Sequence, residues 1–222
     1  MGAETGGRGE SGIGIALFGR TYALTGWHAV VFAVVVVGVL IALLVAYPGM
    51  RSPLWISAAM WIGMSFYWSV AKKQTAPIAS SESAESRARH QLLLNLALLL
   101  EFIRLPFTGY RWLPLSPWVV PAGLALHAGS IVLDVWAMRC LGRNWSGAVT
   151  IKLDHELVRT GPYRFLKHPI YVAMIGMYFG TAMVSGELHA LLGVVLAVIA
   201  YLRKIRMEER GLRETFGAAY DA

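Results

Sequence analysis

Long apolar blocks, each close to 20 residues, recur along this chain with short polar segments between them. A bilayer core about 30 Å thick is crossed by ~20 apolar residues in a helix, so this spacing constrains the fold more than any other feature. Residues 27–47 form the first block and hold no Lys, Arg, Asp or Glu; Pro48 and Gly49 follow it as a stop. Further blocks cover 53–71, 91–107, 117–139, 169–185 and 188–206, with Gly186-Glu187 as a tight link between the last two. Only 15% of the residues are charged, against about 25% in soluble domains, and these charges lie mostly between the blocks. The reading is an all-α polytopic membrane bundle of about six transmembrane helices. Residues 27–222 form one domain, preceded by a flexible tail over 1–26 with a short interfacial segment near residues 13–18. That tail is Gly-rich and lacks the regions of a cleavable signal, so targeting falls to the first apolar block.

The charges supply the orientation. With six spans and the N-terminus inside, 17 of the 20 Lys and Arg residues fall on inside segments, and only Arg51, Arg104 and Arg111 fall outside. Cationic residues gather on the cytoplasmic side of short loops, so both termini and the segments 140–168 and 207–222 are expected on that face. The net charge of +7 then matches anionic lipid headgroups. No nucleic-acid-binding motif accompanies it, so nucleic acid is not expected as a partner. Cys140 stands alone, which rules out a disulfide within the chain.

Polar chemistry is concentrated in two places. One is Gly161-Pro162-Tyr163-Arg164-Phe165-Leu166-Lys167-His168-Pro169-Ile170-Tyr171; the other begins about 37 residues later with Glu208-Glu209-Arg210 and continues to Phe216-Gly217 and Tyr220. Ionisable groups beside membrane spans usually have a use. Pro169 suits the first turn of a helix, where free backbone N–H groups and the His168 ring can meet a polar ligand, with Tyr171 about one turn in. Pro162 makes a rigid turn that aims Tyr163. Lys204 with Glu208, and Glu209 with Arg213, are also i,i+4 neighbours, so ordinary helix-surface pairing is open for both carboxylates. Glu101 and Arg104 read as an i,i+3 structural pair; His127 and Asp134 read as interior groups. His155 and His168 lack a third ligand at metal spacing, so no metal is expected.

Taken in order, these motifs resemble the C-terminal signature of the isoprenylcysteine carboxyl methyltransferase family. The matching runs are Leu141-Gly142-Arg143-Asn144-Trp145-Ser146, His155-Glu156-Leu157-Val158, Gly161-Pro162-Tyr163-Arg164 and Lys167-His168-Pro169-Ile170-Tyr171, then a helical hairpin, Glu208-Glu209, and Phe216-Gly217 with Tyr220. Lys167 stands where many members carry Arg, which keeps the charge and loses the planar fork. The resemblance covers roughly residues 138–220, and residues 1 to about 110 match no motif. It implies an integral-membrane methyltransferase using S-adenosylmethionine, whose cofactor enters from the cytoplasm and whose lipophilic acceptor enters from the bilayer. That acceptor would be the carboxylate of a prenylated cysteine or a similar small substrate. It assigns cofactor contacts to His155, Glu156, Leu157, Val158, Tyr163, His168, Pro169, Ile170, Tyr171, Glu208 and Glu209, with Glu208 taking the cofactor's ammonium. It places substrate-side cations at or beside Lys204, with Arg206 a neighbour. For an acceptor that must shed a proton, His168 and Tyr171 are the first candidates. The residues by themselves leave open an NADPH-dependent enzyme of the sterol-reductase type and a non-catalytic membrane protein.

Overall fold

The computed structural model describes residues 13–17, 20–24, 53–71, 78–103, 109–145, 150–152, 157–217 and 220. The first expected span, 27–47, lies outside them, as do Arg104, His155 and Glu156. The chain divides into two compact units, Met1–Ala42 and Leu43–Ala222. In the first unit, strands β1 (Ile13–Leu17) and β2 (Arg20–Leu24) pair antiparallel, with Ile13 opposite Leu24 and Leu17 opposite Arg20. This corrects the reading of residues 13–24 as part of a flexible tail. Two residues separate the strands, the length of a tight hairpin connection, and Ile and Tyr favour extended backbone.

The described part of the second unit holds five α-helices. Helix α1 spans Pro53–Ala71. Strand β3 (Ile78–Ser81) leads into α2 (Ala84–Phe102), whose first turn is capped by Ser83 accepting from the Ser86 N–H at 3.2 Å. That cap starts α2 well before the apolar block, so its opening turns, through His90, are polar. Helix α3 spans Val119–Leu141. Strand β4 (Thr150–Lys152) pairs antiparallel with β3. Helix α4 spans Pro169–Ser185, ends at Gly186, and is followed at once by α5, Leu188–Phe216. Among the described residues α1, α3 and α5 are long and apolar enough to cross a membrane, and α4 is a shorter apolar helix.

Helix α5 runs ten residues past the end expected for it. At 1.5 Å per residue its 29 residues measure about 43 Å, well beyond a hydrocarbon core of about 30 Å. Its charged end, from Arg203 onward, is therefore a helical extension and not a loop.

The bundle is apolar outside and polar within. Phe66, Val132, Val195 and Ile199 are exposed, whereas Ser57, His127, Asp134, Thr181 and His189 are buried. Lipid-facing surfaces and polar interiors produce that inversion. Within the core the Trp61 indole donates to Thr181 Oγ1 at 3.1 Å, and Thr181 Oγ1 lies 3.3 Å from His127 Nδ1. The Trp68 indole donates to Asp134 Oδ2 at 2.9 Å. Glu101 is fully buried with neither carboxyl oxygen hydrogen-bonded; its expected partner Arg104 lies outside the described residues. Small residues let the helices close on one another. A Cβ on Gly180 would sit 2.8 Å from the Gly123 carbonyl oxygen of α3, and one on Gly193 would sit 2.7 Å from the Ala97 carbonyl oxygen of α2.

Candidate functional site

The helix pairs α3–α4 and α2–α5 carry the polar clusters to one end of the bundle. Gly161 adopts φ +60°, and a Cβ there would meet Cys140 Sγ and the Trp136 indole at the end of α3. Only glycine fits both the backbone and the space. The 3-10 turn Gly161–Arg164 is thereby pressed against α3, with Pro162 buried inside it. Pro169 then opens α4 as its first helical residue and is fully buried.

Across this start of α4 lies the extension of α5. The Tyr171 hydroxyl donates to Glu208 Oε2 at 2.5 Å. His168 Nε2 is 3.3 Å from Glu209 Oε1, and His168 Nδ1 is 3.9 Å from Glu208 Oε2. The His168 and Tyr171 rings stack with centroids 5.6 Å apart. Four residues separated by some 40 positions in sequence thus form one cluster. Glu209 also makes the expected helix pair with Arg213, at 3.5 Å. Glu208 is engaged across helices instead.

Lys204 is buried, and its Nζ lies 5.9 Å above the Tyr171 ring. Arg206 points elsewhere. It lines an open cleft of about 410 Å³ on the polar face of α5 with Glu209, Arg210, Arg213 and Glu214. The two cations expected to act together are therefore on different faces. Tyr163 is half-buried; burial, then the Glu208 charge, pushes its phenol well above the usual range, so it stays protonated as a donor. Ile170, Leu157 and Val158 are half-buried. Tyr220 is clasped from two sides, with Lys167 Nζ at 5.1 Å and Arg213 Cζ at 5.9 Å from its ring centre.

Two members of this cluster were not among the candidates. Tyr201 tilts against Tyr171 at 5.4 Å, and His90 of α2 meets Tyr201 edge-on at 5.6 Å. Tyr201 could have been found: it stands three residues before Lys204 and seven before Glu208, on one helix stripe. His90 could not, because nothing in the sequence pairs α2 with α5. That pairing is fixed by Arg203 donating to Ser86 Oγ at 2.8 Å, while Ser86 donates to Glu82 Oε2 at 2.8 Å.

The site fits the polar end of an amino-acid-bearing cofactor. It offers two carboxylates for an ammonium group, a protonated phenol, and an α4 N-terminus where no side chain caps the backbone N–H groups. The fold and this cluster define an integral-membrane helical protein with a built polar site at one end of its bundle.

Residues 118–219 match the family described as PEMT: Phospholipid methyltransferase. The chain is 26% identical over 140 residues to protein-S-isoprenylcysteine O-methyltransferase B of Arabidopsis thaliana, covering 60% of this chain and 68% of that protein. It is 28% identical over 132 residues to protein-S-isoprenylcysteine O-methyltransferase A of the same plant, covering 58% of this chain and 64% of that protein. The uncharacterized protein YpbQ of Bacillus subtilis (strain 168) is 29% identical over 105 residues, covering 42% and 60%. Across residues 118–219 the chain is thus similar to the phospholipid methyltransferase family, and the two plant relatives support the isoprenylcysteine carboxyl methyltransferase resemblance that its motifs carry.

Proposed function

We propose that this protein moves a methyl group from S-adenosylmethionine to a lipophilic acceptor, the carboxylate of a prenylated cysteine or a similar small substrate. The observation that carries the reading is the Tyr171–Glu208–His168–Glu209 cluster, assembled from two separate motifs at the end of the bundle. Bound S-adenosylmethionine would supply a methyl group already activated on a cationic sulfur. The protein's own work is then to bind, orient and exclude water. Glu208, held in place by the Tyr171 hydroxyl, takes the ammonium; Glu209, His168 and the first backbone N–H groups of α4 hold the rest of the amino-acid end. Tyr163 donates from the α3 side, and the resemblance assigns further cofactor contacts to His155, Glu156, Leu157 and Val158. Lys204, buried beside Tyr171, anchors the anionic head of the acceptor. A carboxylate is ionised at neutral pH, so it needs no base to act as the nucleophile.

The acceptor's tail lies in the bilayer, and the 17-to-3 charge bias expected for six spans supports a site on the cytoplasmic face. Calorimetric titration of the detergent-purified protein with S-adenosylhomocysteine tests the reading. Micromolar binding, about −8 kcal/mol, is expected. A folded sample that binds nothing at millimolar ligand overturns it.

A further inference from the structure

Helix α5 keeps one outward face from its apolar start to its charged end. Leu192, Val195, Ile199 and Leu202 are exposed along it, while other sides of the helix pack against α2 and α4. Arg206, Arg210 and Arg213 are exposed in turn. Each step from Leu192 to Arg213 is three or four residues, so the whole set lies within an arc of about 80°. The lipid-facing stripe therefore runs straight into a stripe of arginines.

Depth agrees with direction. Leu192 to Leu202 measures about 15 Å, close to one leaflet's share of a hydrocarbon core about 30 Å thick. Arg206 stands about 6 Å beyond Leu202 and Arg210 about 12 Å beyond. Helical side chains tilt toward the N-terminus, so both guanidinium groups lean back toward the lipid surface. The cleft at this level is lined by Arg206, Glu209, Arg210, Arg213 and Glu214. Glu209 and Glu214 flank the arginine arc. Glu209 is engaged by His168 at 3.3 Å and by Arg213 at 3.5 Å, and Arg213 also lies 5.9 Å from the Tyr220 ring centre. Arg206 and Arg210 are left to carry the positive charge of the cleft.

We propose that this face of α5 binds one anionic phospholipid, with an acyl chain along Leu192 to Leu202 and the phosphate held by Arg206 and Arg210. Arg213, already held by Glu209, contributes least. Continuity with the lipid-facing stripe selects a lipid over a soluble anion, and charge complementarity selects a net negative headgroup over one that carries its own cation. Glu208 lies about 160° round the helix from this arc. The lipid is therefore distinct from the methyl acceptor, and the inference does not rest on the methyltransferase reading.

Native mass spectrometry of the delipidated, detergent-purified protein tests the site. The probes are dioleoylphosphatidylglycerol and dioleoylphosphatidylcholine, which share acyl chains and phosphate and differ in net charge. The first should bind about tenfold more tightly, as one copy per chain. Arg206→Gln with Arg210→Gln should bring the two affinities within about twofold. Replacing the same pair by Lys keeps the charge and should retain most of the preference, as should Arg213→Gln alone. Arg89→Gln with Arg139→Gln removes equal charge from exposed positions on α2 and α3 and should leave the preference intact. Equal losses in the two Gln pairs would show diffuse attraction to a basic surface and overturn the proposal, as would a wild-type protein without preference. Displacement of the lipid by millimolar inorganic phosphate would mark a soluble-anion site and overturn it too. A dimer that holds no extra lipid and separates in the Arg206→Gln, Arg210→Gln variant would give this face to a second copy of the chain instead.

Discussion

Replacing Glu208 by Gln should weaken S-adenosylhomocysteine binding far more than the same change at Glu209. The two carboxylates are adjacent in sequence, and exposure does not separate them: their side chains are 34% and 24% exposed. Their partners do. Glu209 is already shared with the Arg213 guanidinium at 3.5 Å as well as with His168. Glu208 is held by the Tyr171 hydroxyl and the edge of His168, so its charge is the more available to an incoming ammonium. A hydrogen bond to a charged group is worth about 1.5–3 kcal/mol, a loss of roughly 10- to 150-fold in affinity. A helix-surface pair contributes about 0.3–0.5 kcal/mol, which is about twofold. Gln keeps the shape and still accepts from Tyr171, so the change isolates the charge. Titration calorimetry on both variants, with melting temperatures as a folding control, reads the difference. Equal, small losses would show that both carboxylates are ordinary surface pairs and that the ammonium site lies elsewhere.

Lys204→Met should lower kcat/KM for a prenylated carboxylate at least tenfold with S-adenosylhomocysteine affinity nearly unchanged, whereas Arg206→Ala, on the outer cleft, should stay within about twofold; matched losses would put both cations at the acceptor. With a carboxylate acceptor the rate should be flat from pH 6 to 9, because no nucleophile titrates there; a tenfold rise per pH unit would indicate an amine or thiol. Burial, and then Lys204, lower the His90 pKa from 6.5 to about 4. The fold therefore favours the neutral ring, and that contribution is present above pH 6.5 and lost as pH falls toward 4, to a limit of roughly 3 kcal/mol. Thermal unfolding across that window should be steeper in pH for the wild type than for His90→Asn, and parallel curves would refute it. A cysteine placed at Glu187 should react with an impermeant thiol reagent in intact cells and one at Glu10 should not; the reverse pattern overturns the orientation.

Much of the membrane architecture can be read from residue order because hydrophobic block length is a direct consequence of bilayer thickness. The helices at 53–71 and 169–185 stand where their blocks are. Boundaries drifted where polarity misled. Helix α2 begins at Ala84, inside what reads as a polar loop, because Ser83 caps it, and α5 continues to Phe216 because helical hydrogen bonding does not stop where lipid does. The hairpin at 13–24 was obscured by glycines at 12 and 14. Within the site, the motif residues were legible as residue types and spacing. Their mutual geometry was not, because it depends on the approach of α4 to α5.

The contribution of the N-terminal half is the part that sequence patterns hide. Residues 78–102 carry no family motif, yet β3 pairs with β4, and Ser86 receives Arg203 from α5. These contacts bring α2 against the stripe of Tyr201, Lys204 and Glu208. Three residues at i, i+3 and i+7 lie on one helical face about 10 Å long, so the proposed ammonium carboxylate, acceptor cation and ring row are fixed by a single rigid element. The N-cap and first turn of α4 supply His168 and Tyr171 against that stripe, and α2 brings His90 against Tyr201. On the proposed reading α5 would set the register between cofactor and acceptor. Shortening α5 by a residue between Tyr201 and Glu208 would rotate Glu208 by about 100° away from Tyr171. Such a deletion should abolish cofactor binding even though every site residue is still present, and retained micromolar binding would show that the stripe does not set the geometry.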